Sequence, residues 1–204
     1  MPHKQKPIIV IDVDDVLANS TDSLRLAVNE KYQADLQPEH YAVPGEFHKY
    51  YERVWVEHGI ADRVSKDELN QQMMTDQSHV QPHADVVRIL AGLSKSYELV
   101  VVTARNPAWE AATQAWLDSN FPGVFTRIVF GGRRDDPAGK TKGDWCVEIG
   151  AEWLIDDNVV HCMSAADRGV IAILFGTYGW HTDVPDSLTR CKNWQAVKEF
   201  FDGR

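Results

Sequence analysis

Five short stretches of the chain are dense in apolar residues and rich in Ile and Val: about 7–12, 98–103, 127–130, 152–155 and 170–174. They lack the strict apolar–polar alternation of a half-exposed strand. Each therefore reads as a strand buried on both faces, the mark of a parallel sheet. The segments between them carry helical spacing. His83 to Leu93 places Val86, Val87, Leu90 and Leu93 three or four apart, and Trp109 to Leu117 does the same with Ala112, Trp116 and Leu117 behind a first-turn Pro107. Lys142 to Ile149 predicts a third helix that stops at Gly150, where a left-handed cap fits. Strand and helix alternate, which predicts an α/β fold: a Rossmann-like parallel five-stranded sheet with helices on both faces.

One stretch breaks the alternation. From Asn19 to Val80 there is no convincing strand, but three helical patterns follow one another: Ser20 to Tyr32, Gly45 to His58, and Ser65 to Met74 with Ser65 as N-cap and Glu68 three residues on. That is far more chain than one crossover needs. It reads as a helical cap, residues 19–80, inserted between the first and second strands of a core formed by residues 1–18 and 81–204.

Composition narrows the setting. The chain has 204 residues, 44% hydrophobic and 25% charged, which is ordinary for a folded domain. Its net charge of −9 argues against a duplex nucleic-acid partner, whose backbone calls for a surplus of cations along one face. No apolar run approaches the roughly twenty residues that span a bilayer, so no membrane association is expected. The polar start, Met1 to Pro7, leaves no room for a signal peptide, and three cysteines without C-x-x-C spacing suit a reducing, cytoplasmic compartment.

The chemistry gathers where strands end. Ile8–Ile11 runs into Asp12-Val13-Asp14-Asp15, three acids within four positions. Carboxylates so crowded repel one another, and a divalent cation is the usual remedy. Oxygen donors without a neighbouring His or Cys favour magnesium over zinc. A strand followed by a solvated acidic turn would give the same letters. A second strand, Trp153-Leu154-Ile155, also ends in acids, Asp156-Asp157, and a third ends in Thr103-Ala104-Arg105 just before a helix, which suits an anion. In a parallel sheet all three sets emerge at the C-terminal edge, where such folds place their ligands. Lys142 and Lys140 both precede the predicted helix at 142–149; Lys142 is preferred because it adjoins that helix directly.

In this order the motifs resemble those of the haloacid-dehalogenase-like hydrolase superfamily: D-x-D-x-[TV]-[LV] at Asp12 to Leu17, a strand ending in Thr103, the lysine at Lys142, and the acidic pair Asp156-Asp157. The stretches Lys142-Gly-Asp-Trp-Cys, Phe175-Gly-Thr-Tyr-Gly-Trp180 and Arg190-Cys-Lys-Asn-Trp194 resemble its 5'-nucleotidase type C, deoxyribonucleotidase-like branch and bacterial nucleotidases akin to it. The resemblance implies a magnesium-dependent phosphomonoesterase acting on a small phosphorylated metabolite, a nucleoside monophosphate. Asp12 would be the nucleophile and Asp14 the general acid and base. Asp12, Asp157 and the backbone carbonyl of Asp14 would hold the metal, with Asp156 beside them. Thr103 and Lys142 would bind phosphate, aided by the backbone of Asp15 and Ala104. The cap aromatics Phe47, Tyr51 and Trp55, together with Arg105, are the candidates for contacting the rest of the substrate, although aromatics at helical spacing also build cap cores. Tyr41 and Tyr50 belong to the same group, and His40, His48 and His58 read as cap packing. The core motifs are equally compatible with another phosphate ester, a nucleic-acid end, or a binding module that kept the fold. In such families a small cap that leaves the site open often accompanies a homodimer.

Overall fold

The structure is a computed structural model that describes residues 6–204; most of the polar start read above for a signal peptide lies outside the described residues. In chain order the elements are β1 (Ile8–Ile11), α1 (Ser20–Tyr32), α2 (Tyr50–Glu57), α3 (Lys66–Thr75), α4 (Val86–Leu93), β2 (Glu98–Thr103), α5 (Glu110–Asn120), β3 (Arg127–Phe130), α6 (Lys142–Ile149), β4 (Ala151–Asp156), α7 (Val159–Ala166), β5 (Ile171–Phe175), β6 (Thr189–Cys191) and α8 (Trp194–Asp202). One-turn 3-10 helices at Pro38–Tyr41 and Pro107–Trp109 complete them.

The strands form one parallel sheet in the order β3-β2-β1-β4-β5-β6. Six strands stand where the apolar runs predict five. The sixth, Thr189–Cys191, is a three-residue edge strand with a single buried side chain, so it lacks the apolar run that marks the others. The helical pattern at 45–58 also shortens to α2, because Pro44-Gly45 interrupts the chain and Lys49 takes a left-handed backbone with φ of 61°. Gly150 ends α6 in the predicted left-handed conformation, φ 76°.

Alternate residues of β1 point to opposite faces. Ile9 and Ile11 pack with residues of α4, α5 and α8 such as Leu90, Trp116 and Val197. Ile8 and Val10 pack with Cys146 of α6 and Cys162 of α7. The chain runs outward from β1 through β2 to β3 and then returns to β4 on the other side of β1. The β1–β4 boundary is therefore the point where strand order reverses, the place where α/β sheets open a crevice at their C-terminal edge.

Residues 20–75 hold only helical elements and build a separate apolar cluster from Val28, Leu36, Tyr50, Val54, Trp55 and Leu69, joined by Trp180 from the loop after β5. This insertion leaves and rejoins the sheet through a paired neck: Ala18 bridges Pro82, and Asn19 N–H donates to Gln81 O at 2.8 Å. No helix among the described residues is long and apolar enough to cross a membrane.

Candidate active site

The turn after β1 fixes the first acids. Asp12 N–H donates to Ile155 O at 3.0 Å, tying it to β4, while the amides of Val16, Leu17 and Ala18 all donate to Val13 O. Such a tight turn needs one residue in the left-handed region, and Asp15 supplies it with φ of 54°. Asp15 faces inward, accepting from Thr21 N–H at 2.9 Å and Thr21 Oγ1 at 2.7 Å. Burial raises its carboxyl to about 7 against the pull of those donors.

Lys142, the first residue of α6, reaches the switch point with no solvent exposure. Its Nζ lies 2.7 Å from Asp12 Oδ1 and 2.6 Å from Asp156 Oδ2. Thr141 caps the helix that carries it, accepting from Asp144 N–H at 3.2 Å. Gly132 lies against its stem at φ 80°, where a Cβ would meet Lys142 Cγ at 2.4 Å. Lys140 instead pairs with Glu148 and sits 4.3 Å from the centre of the Trp145 ring. Arg133 pairs with Asp135 in the loop before α6.

Of the five acids at the β1 and β4 ends, Asp156 is engaged on both oxygens while fully buried. Besides Lys142, it accepts from Asn158 N–H at 2.9 Å and lies 3.2 Å from His161 Nδ1. Burial opposes its charge, but the Lys142 ammonium and His161 outweigh it and hold the carboxyl below its usual value. Asp157 accepts from Trp180 Nε1 at 3.0 Å, and its carbonyl lies 2.6 Å from His181 Nε2. Burial and the neighbouring Asp156 and Asp12 push Asp157 well above the usual carboxylate range. The same burial raises Asp12 to about 6, with Lys142 pulling the other way.

One carboxylate oxygen from each of Asp12, Asp156 and Asp157 lies within 4.8 Å of the other two. Asp12 Oδ1 is sealed from solvent and, although Lys142 is close, receives no well-directed hydrogen bond among the described residues. Three buried acids around one ammonium leave an excess of negative charge, and the donors are all oxygen. That set fits a hard divalent cation.

Asp14 behaves differently. Its side chain is 39% exposed and turns toward Arg105, which grips it with Nε to Oδ2 at 2.9 Å and Nη2 to Oδ1 at 2.7 Å. Ser20 Oγ donates to Oδ1 at 2.6 Å. Burial works against ionisation there, but Arg105 prevails and the carboxyl is held below its usual value. Arg105, expected among the substrate contacts, has a fully buried side chain bonded within the protein, so it does not face open space. Thr103 is buried at the end of β2, with Ala104 following it.

A cavity of about 410 Å³ opens beside Asp14, walled by the insertion. Phe47, Tyr51 and Trp55 all line it, as do Leu69, Met73 and Trp109. Phe47 is 55% exposed, whereas Trp55 is only 4% exposed and belongs to the insertion's apolar cluster. Tyr41 and Tyr50 are buried in that cluster, and His40 stacks on His58 with ring centres 3.7 Å apart. Trp180, the last residue of the Phe175–Trp180 stretch, and His181 stand behind Asp157, and Gln77 and Thr113 stand behind Arg105; the motifs give none of the four a role at the site. Two glycines around Tyr178, directly after a strand, are the local signal for the first pair.

Acids converging at the switch point of a parallel sheet, faced by a buried lysine and roofed by a helical insertion after the first strand, define a hydrolase of the haloacid-dehalogenase-like superfamily, of phosphatase type. The chain belongs to the family described as 5' nucleotidase, deoxy (pyrimidine), cytosolic type C protein, whose model matches residues 6–202. Solved structures show the same fold at low identity. A haloacid-dehalogenase-superfamily hydrolase from Bacillus subtilis, bound to magnesium, is similar with a TM-score of 0.64 at 11% identity, covering 98% of this chain and 100% of its own. A haloacid-dehalogenase-like hydrolase from Xanthomonas campestris gives 0.55 at 17%, covering 98% and 96%. A protein described as a β-phosphoglucomutase from Bacteroides vulgatus gives 0.56 at 14%, covering 97% and 88%. No curated protein sequence matches the chain.

Proposed function

We propose that this protein is a magnesium-dependent phosphomonoesterase that works through an aspartyl-phosphate on Asp12, and that its substrates are nucleoside 5'-monophosphates. The observation that carries the reading is the meeting of Asp12, Asp156 and Asp157 with Lys142 at the sheet edge, next to a largely apolar cavity. The chain's family, one of 5' nucleotidases, supports a nucleotide over other esters.

In the first half-reaction an Asp12 oxygen attacks phosphorus and the bond to the leaving oxygen breaks; Asp14, which takes up a solvent proton once the phosphate's negative charge lies beside it and offsets Arg105, gives that oxygen the proton. In the second, water passes a proton to Asp14 and attacks phosphorus, which frees Asp12. Lys142, Thr103 and the backbone amides of Asp15 and Ala104 hold the phosphate oxygens as charge moves onto them. Asp12, Asp157 and the Asp14 carbonyl would hold magnesium, which would supply positive charge to shield the nucleophile from the phosphate. Asp156, engaged by Lys142, Asn158 and His161, serves chiefly to hold the lysine. The neck at Ala18 and Pro82 supports a division into a core of 1–18 and 81–204 and a cap of 19–80. Three free, buried cysteines fit a reducing compartment.

The test is phosphate release from ribo- and deoxyribonucleoside monophosphates, sugar phosphates and a 3'-phosphorylated oligonucleotide, with magnesium and with EDTA, beside Asp12→Asn. Selective, magnesium-dependent release from nucleoside monophosphates is expected, with Asp12→Asn folded and inactive. Turnover by that variant would remove the nucleophile, and activity confined to other esters would overturn the nucleotide assignment.

A further inference from the structure

Two of the Arg105 side-chain hydrogen bonds go to one carboxylate, and the other two anchor the guanidinium from behind. Its Nε and Nη2 form the two-point grip on Asp14, and Nη1 donates to Gln77 Oε1 at 2.6 Å and to Thr113 Oγ1 at 3.3 Å. Both of those partners are buried, and they are joined to each other by Gln77 Nε2 donating to Thr113 Oγ1 at 3.1 Å. The Trp116 ring backs the guanidinium at 5.9 Å. A planar fork fixed from behind in this way sets both the position and the plane of the carboxylate it holds, which a single ammonium does not. Ser20 Oγ, bonded to Oδ1, closes the remaining freedom from the other side.

We infer that Arg105 is a positioning residue for Asp14: it sets the reach and plane of the group that hands a proton to the leaving oxygen, and makes no contact with the phosphate. The inference rests on the acid–base role given to Asp14 under the proposed function. When the bond from phosphorus to the leaving oxygen breaks, the electron pair stays on that oxygen and takes the proton from Asp14. An alkyl oxygen needs that proton; a p-nitrophenolate leaves well without it. A general acid is worth roughly 10²–10⁴-fold, and small misplacements forfeit much of it.

The experiment measures kcat/KM, which ends at departure of the leaving group, for a nucleoside monophosphate and for p-nitrophenyl phosphate at saturating magnesium. Wild type, Asp14→Asn, Arg105→Met and Arg105→Lys are compared. Asp14→Asn is expected to raise the aryl-to-alkyl ratio about a hundredfold. Arg105→Met is expected to raise it at least about tenfold, and Arg105→Lys, which keeps charge and bulk but loses the fork, by an intermediate factor. Equal losses on both esters in the arginine variants, with the ratio raised in Asp14→Asn, would overturn the positioning role. Equal losses in Asp14→Asn itself would instead overturn the acid role beneath it. Should Arg105→Met fail to fold, as read by circular dichroism, Arg105→Lys decides alone: a raised ratio supports the inference and a wild-type ratio refutes it.

Discussion

Replacing Lys142 with Met tests the electrostatic account of the sheet edge without reference to any substrate. The ammonium is wholly buried and lies 2.7 and 2.6 Å from two carboxylates, with Asp157 close by. Removing one partner of a buried ion pair leaves its counter-charge unpaid and costs about 3–5 kcal/mol. For a chain of this size each kcal/mol moves the melting temperature by roughly 2–4 °C, so Lys142→Met should melt roughly 6–20 °C below wild type in EDTA at pH 7.5. A divalent cation offers the three acids the positive charge that the lysine no longer supplies, so magnesium should recover much of the deficit. At pH 5 the gap should also narrow, because the Asp12 carboxyl, raised to about 6, then carries a proton. Thermal unfolding followed by far-UV circular dichroism reads all three conditions. A variant within about 0.5 kcal/mol of wild type in EDTA, the range of an ordinary surface change, would refute the reasoning.

Three more outcomes follow from the acids and the cavity beside them. Asp12 and Asp157 have folded-state carboxyls above their usual values, so between about pH 4 and pH 6 these two groups hold more protons in the folded protein than in the unfolded one. The stability owed to these groups therefore falls as pH rises through that window. Magnesium competes with those protons, so its affinity should rise with pH through about 6, with proton release below it; calorimetry in buffers of different ionisation enthalpy checks this, and a pH-independent affinity between 5 and 7 would contradict it. Phe47→Ala, at an exposed cavity wall, should leave stability within about 0.5 kcal/mol and raise KM for nucleoside monophosphates about tenfold, one stacking contact, with little change for p-nitrophenyl phosphate. Trp55→Ala should cost about 3–5 kcal/mol of stability by urea titration, because that ring is core as well as wall.

What the letters reveal follows from how local each signal is. Strands β1, β2 and β4 are buried on both faces through their C-terminal halves and run apolar there up to a polar residue at the sheet edge, so both the strands and the acids or threonine at their ends are legible. Helix α6 declares its end through Gly150, and Lys142 through its place at the helix start. Strand β6 stays hidden because three residues with one inward side chain leave no pattern. Arg105 misleads for another reason: a strand-end Thr-Ala-Arg looks outward in sequence, and only the fold brings Gln77 and Thr113 behind the guanidinium and Asp14 in front of it. Trp180 is likewise readable as an aromatic in a glycine-rich turn, but its bond to Asp157 depends on β5 lying beside β4.

The central place of β1 also governs how the chain is assembled. The ribosome makes this strand before both of its neighbours, yet Ile8 pairs with Glu98 on one side and Ala151 on the other. Until those segments emerge, four consecutive β-branched residues and two open ladder edges wait without partners, the kind of surface that invites association with other nascent chains. Pairings over such separations also close slowly. The helical insertion draws its apolar cluster, Trp180 apart, from residues 28–69 and has the local contacts to settle early. The acidic edge is therefore completed only late in synthesis, since Asp12 meets Asp156 and Asp157 only once β4 has been made.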